Sequence, residues 1–114
     1  MLKPKLLAAL NKQINEEYYS SYIYRAMFAY FEDLNLDGCA HWMRMQADEE
    51  HLHALKIFDY IIERGGRVVL EAVQAPPRDW DSPLAAFEAV TETAVLDVAA
   101  RLLDLANLGG APPS

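Results

Sequence analysis

The chain has a single cysteine, Cys39, among its 114 residues. No intrachain disulfide can form, nothing asks for an oxidising compartment, and the expected role of Cys39 is that of a small buried apolar side chain. Positive charge is also short: 10 lysines and arginines face 17 acidic residues, for a net charge of -7. With no basic tail or patch, nucleic acid, a DNA-protecting role and an anionic membrane surface are all disfavoured, whereas cationic partners, metals included, are compatible. Long apolar runs are missing as well. The opening Met1-Leu2-Lys3-Pro4-Lys5-Leu6-Leu7-Ala8-Ala9-Leu10 turns polar at Asn11-Lys12-Gln13, too soon for a secretory segment or a membrane span, so the cytoplasm is the expected location. No repeat of 20 to 50 residues and no low-complexity linker interrupts the chain.

What is present suits one globular domain, residues 1–114, of all-α class: 53% hydrophobic and 24% charged residues. Apolar positions spaced by threes and fours predict three helices. The first runs from Pro4, a residue tolerated at a first helical position, to Asp33, with an inward stripe of Leu10, Ile14, Glu17, Ser21, Tyr24, Phe28 and Phe31. Asn35-Leu36-Asp37-Gly38 is a turn signal. The second spans residues 38–64, with the stripe Met43, Gln46, Glu50, His53, Ile57, Tyr60, and stops at Gly65-Gly66, where glycine supplies a left-handed cap. The third spans 83–107, with Ser82 as N-cap, Pro83 in the first turn, and the stripe Leu84, Phe87, Thr91, Ala94, Val98, Leu102, Leu105. The segment between the second and third helices, residues 65–81, is too long for a hairpin loop. At up to ~3.3 Å per residue it can run the length of a helix and start the third parallel to the second, a long crossover. Within it, residues 67–73 read either as a short strand pairing with a second subunit or as an ordered loop packed on its own bundle.

Three polar residues stand on stripes that should be apolar. Glu50-x-x-His53 puts a carboxylate and an imidazole one turn apart on one face, and Glu17 faces them from the antiparallel neighbour. Burying a carboxylate without compensation costs several kcal/mol. Two answers fit: a buried ion pair between His53 and a carboxylate, or a divalent metal. Carboxylate and imidazole donors suit iron or manganese, and the absence of paired cysteines disfavours a structural zinc site.

The stretches Leu10-Asn11-Lys12-Gln13-Ile14-Asn15-Glu16-Glu17-Tyr18-Tyr19-Ser20-Ser21, Gln46-Ala47-Asp48-Glu49-Glu50-His51-Leu52-His53-Ala54 and Glu63-Arg64-Gly65-Gly66-Arg67-Val68, followed by Ser82-Pro83-Leu84-Ala85-Ala86-Phe87, resemble the bacterial non-haem ferritins across roughly the first 90 residues. The resemblance implies a ferritin-like helical bundle that oxidises Fe(II) with oxygen at a di-iron carboxylate centre and stores iron in an oligomer. It implies Glu17, Glu50 and His53 as iron ligands, Tyr24 as the tyrosine beside them, and Glu49 as a carboxylate of an accessory iron site. Leu52 stands where haem-binding relatives use methionine, so haem is not expected. His41 and His51 are expected at the surface.

After Ala89 the resemblance stops. Ala94 occupies the place of a further ligand glutamate, with Asp97 one turn on, and the chain closes in Gly-Gly-Ala-Pro-Pro-Ser where the family has a fourth long helix. A four-helix di-iron centre draws two of its ligand sets from helices beyond the first pair. The expectation is therefore a homo-oligomer, at least a dimer, in which a second subunit's Glu17, Glu50 and His53 complete the site. A closed cage would need surfaces from the absent helices. The competing expectation is a non-catalytic helical oligomerisation subunit without a working iron centre.

Overall fold

Two long antiparallel helices form as their apolar spacing predicts, and a third is laid against one end of the pair. The structure, a computed structural model, describes residues 2–92. Helix α1 is Pro4–Asp33 and α2 is Asp37–Glu63; α3 is helical from residue 83 through 92. The first prediction matches, the second is shifted by one residue at each end, and the third matches at its start. Its continuation over 93–107, with Ala94 and Asp97, lies outside the described residues. No strand occurs among the described residues, and no helix there is long and apolar enough to cross a membrane.

Both long helices stop by the same device. Asn35 (φ 58°) and Gly65 (φ 75°) take the left-handed conformation. Leu36 N–H then donates to Phe31 O at 3.0 Å and Asn35 N–H to Glu32 O at 3.0 Å; Gly66 N–H donates to Ile61 O at 2.9 Å and Gly65 N–H to Ile62 O at 3.0 Å. These paired bonds close the last carbonyls of each helix, and the left-handed residue is what allows them. Gly66 is closely packed: a Cβ there would meet side-chain methyls of Ile61 and Leu7, both at 3.0 Å, which would have to shift by a few tenths of an ångström. At the start of α3, Ser82 Oγ accepts from Ala85 N–H at 3.1 Å, the predicted N-cap.

The core is divided in two. Near the α1–α2 turn, Ile23, Tyr24, Met27 and Phe31 pack against Ala40, Met43 and Ala47 and against Ala86 and Val90 of α3. At the far end, Ile14, Ala54 and Ile61 form a second cluster with Leu2, Leu7, Leu10 and Val68. Each large apolar side chain removed from water contributes about 1.5–3 kcal/mol. The buried seam of α2 is thus Ala40, Met43, Ala47, Ala54 and Ile61, and its three alanines let α1 approach closely. Three residues of the predicted inward stripes lie at the surface. Tyr60 is exposed, and on α3 Leu84 and Thr91 face outward while Ala86 and Val90 are buried. The four-residue step from Ala86 to Val90 sets the contact face, and Phe87 meets Phe31 and Trp42 from its border.

The crossover runs back along the hairpin. Near its start Asn11 Nδ2 donates to Arg67 O at 3.1 Å, and Asn11 Oδ1 accepts from Val69 N–H at 2.9 Å. Near its end Tyr30 OH donates to Trp80 O at 3.2 Å, with the two rings edge-on. Within the single chain, residues 67–73 form an ordered segment packed on its own bundle and tied to α1 through Asn11. One asparagine amide gives this backbone the donor and acceptor that a neighbouring strand would have supplied. The segment delivers α3 to the end where α2 begins, the polarity a crossover allows.

An exposed ion pair, Arg25 Nη2 to Asp48 Oδ1 at 2.8 Å, ties α1 to α2. The hydrogen bond from Arg25 holds the Asp48 carboxyl below its ordinary value of 3.8. A depressed folded-state value means the stabilisation is present above the unfolded value and fades as pH falls through the folded one. Asp48→Asn should therefore flatten a small acid-side slope in urea stability below about pH 4 and leave the dependence near neutrality unchanged. Gly65→Ala, forced to hold a positive φ, should cost about 1–2 kcal/mol in the same assay, with the helical circular dichroism retained.

Candidate metal centre

Between the two apolar clusters lies a polar band. Gln13, Glu17, Ser20 and Ser21 are the buried polar residues of α1, and Glu50 and His53 meet them from α2. Helical geometry places them so: from Gln13 to Glu17 is four residues, Ser20 and Ser21 follow three and four residues later, and Glu50 and His53 share a face one turn apart. The close approach needed comes from Ala47 and Ala54, both fully buried. Ser21 Oγ donates to Ala47 O at 2.7 Å, so even the backbone of α2 is tied into the band.

Glu17 is the pivot, only 1% exposed. Its Oε1 accepts from Gln13 Nε2 at 3.0 Å. Its Oε2 lies 3.8 Å from His53 Nδ1, and Glu50 Oε2 lies 3.6 Å from the same nitrogen. Ligand atoms of Glu17, Glu50 and His53 all fall within 4.8 Å of one another, the only such trio of potential metal ligands found among the described residues. Separations of 3.6 and 3.8 Å are too long for hydrogen bonds. They match the gap between two donors that share one ion, each roughly 2.0–2.2 Å from it. The charges point the same way. Two ionised carboxylates bring two negative charges, a protonated His53 would return one, and the Gln13 amide brings none. A divalent cation balances the trio with His53 neutral, and two hard oxygen donors with one imidazole fit iron, manganese or zinc.

Tyr24, two turns beyond Glu17, is 4% exposed in the upper apolar cluster and meets Trp42 edge-on at 6.4 Å. Glu49 is exposed and stands outside the trio. His41 and His51 are exposed, with His51 against the Tyr18 ring at 5.7 Å. Sequence reasoning passed over Gln13. It lies one turn before Glu17 in a run of polar residues, and nothing in the sequence sets it apart from them.

A family model described as a ferritin-like domain matches residues 7–110. The chain is 40% identical over 116 residues to the bacterial non-heme ferritin of Bacteroides fragilis, covering 94% of this chain and 73% of that one. It is 43% identical over 88 residues to the corresponding ferritin of Staphylococcus epidermidis, covering 77% of this chain and 53% of the relative. Among solved structures, an open pore ferritin from the hyperthermophilic archaeon Archaeoglobus fulgidus superposes with a TM-score of 0.87 at 49% identity, over 93% of this chain and 67% of that chain. The match takes in both halves of the antiparallel pair, the crossover and the polar band they enclose. The chain belongs to the ferritin-like domain family.

Proposed function

We propose that the protein binds and stores iron, oxidising Fe(II) to Fe(III) with oxygen at the Glu17–Glu50–His53 site. The single observation that carries this reading is a fully buried carboxylate converging with a second carboxylate and an imidazole nitrogen between the helices of the antiparallel pair. Iron is here substrate and cargo: each Fe(II) gives up one electron to oxygen and is retained as Fe(III). Glu17 and Glu50 supply hard anionic oxygens, which stabilise the trivalent product more than the divalent substrate and so favour oxidation. His53, 31% exposed, turns Nδ1 toward both carboxylates; with that nitrogen unprotonated it is a ligand, and its exposure opens the site on one side. Glu17, held by Gln13 and walled by both apolar clusters, keeps its position as the ion arrives.

A second metal position, and with it a di-iron centre, needs ligands beyond this trio. Residues past 92 or a second subunit's Glu17, Glu50 and His53 are the two sources within this protein. Assembly is supported by the apolar side chains left at the surface, Tyr22, Met45, Leu52 and Leu70 among them, each 48–61% exposed. The names of the similar proteins, non-heme ferritins and an open pore ferritin, support the same reading.

Anaerobic Fe(II) titration of the apo-protein should give at least one tight site. Glu50→Ala should weaken it by roughly tenfold or more and slow the rise of ferric absorbance in air by a similar factor. Wild-type protein that forms ferric species no faster than buffer would overturn the ferroxidase reading. Light scattering of the same protein should return a multiple of the chain mass; a monomer would remove the shared-site arrangement.

A further inference from the structure

Gln13 is 7% exposed, and its amide does two unequal things. Nε2 donates to Glu17 Oε1 at 3.0 Å, while its own Oε1 is buried with no hydrogen-bond partner among the described residues. The orientation is fixed by Glu17, because a reversed amide would set two oxygens against each other at that distance. A buried carbonyl left in this way is a cost that a leucine or methionine would not carry. The core gains nothing from the amide except its donor, and that donor is aimed at one oxygen of one carboxylate.

An ionised carboxylate can hold a cation with one oxygen or with both. Here the two oxygens of Glu17 are assigned differently: Oε1 to the amide, Oε2 to the side where His53 Nδ1 and Glu50 lie. We infer that Gln13 is a positioning residue that commits Glu17 to holding the cation through Oε2 alone. This rests on the reading of Glu17, Glu50 and His53 as a cation site. A bond to Oε1 would have to displace or share the Gln13 N–H. The single-oxygen mode leaves a lower coordination number at the ion and so more room for an incoming ligand. Hydrogen bonds to a metal-binding carboxylate of this kind set affinity by roughly 10–100-fold.

Co(II) is the probe, since its visible absorption weakens as coordination number rises. Gln13→Met keeps the length of the side chain and removes both the donor and the stranded carbonyl. Wild-type protein should bind Co(II), and Q13M should bind it roughly 10–100-fold more weakly with a weaker visible band, while its urea midpoint is unchanged or raised. A merely structural role for Gln13 would lower the urea midpoint and leave the spectrum alone. Equal affinity and an identical spectrum in Q13M would overturn the inference and leave the cation site standing. Wild-type protein that binds no Co(II) would overturn both. Should Q13M fail to fold, Gln13→Asn, one methylene too short to reach Glu17, answers the same question: it should weaken Co(II) binding, and unchanged affinity would overturn the inference.

Discussion

Everything in the hairpin is arranged around a carboxylate that water cannot reach. Glu17 sits at 1% exposure between two helices, with an apolar cluster on either side of it, and an ionised group in such a place is tolerable only with charge or donors brought to it. The core accordingly breaks into two clusters, one at each end, with the polar band between them. The apolar ends hold the helices at a fixed separation, so the band is held open to the width that the alanines of α2 allow. Stability comes from the ends of the hairpin and chemistry from its middle, and neither can be moved along the helices without the other.

The parts of this design legible in the sequence were those set by local rules. Pro4 at the first turn, Ser82 as a cap and Gly65 at a left-handed position each act over three or four residues, and the limits of α1 and α2 and the start of α3 came out within one residue of those observed. Glu17, Glu50 and His53 were visible because a polar residue on an apolar stripe breaks a strong pattern. What failed was rotation. Tyr60, Leu84 and Thr91 were assigned inward because size and spacing alone do not say where a helix surface ends, while Ala40, Ala47 and Ala54, the residues that fix the helix separation, look neutral in a hydrophobic pattern. For residues 67–73 the limit is different: β-branched residues say that a backbone is extended, not who supplies its hydrogen bonds. Asn11, more than fifty residues away in the chain, supplied them.

Gln13 shows a further limit. Nothing in the composition of α1 marks one glutamine among several polar residues, and its importance appears only when each oxygen of Glu17 is traced to its neighbour. The divided apolar core and the tied carboxylate are two levels of one solution. Packing holds the backbone still, and a hydrogen bond holds the last rotatable torsions of the side chain still.

The crossover is secured to α1 by hydrogen bonds close to its two ends, at Arg67 and Val69 through Asn11 and at Trp80 through Tyr30. A span moored at both ends behaves differently from a free tether. The entropy of the stretch between the moorings grows only slowly with its length, about 0.6 kcal/mol for each doubling. Residues 71–78 are therefore the place where this architecture can lengthen, shorten or change composition from one homologue to another while the bundle, and the charges held within it, stay in register.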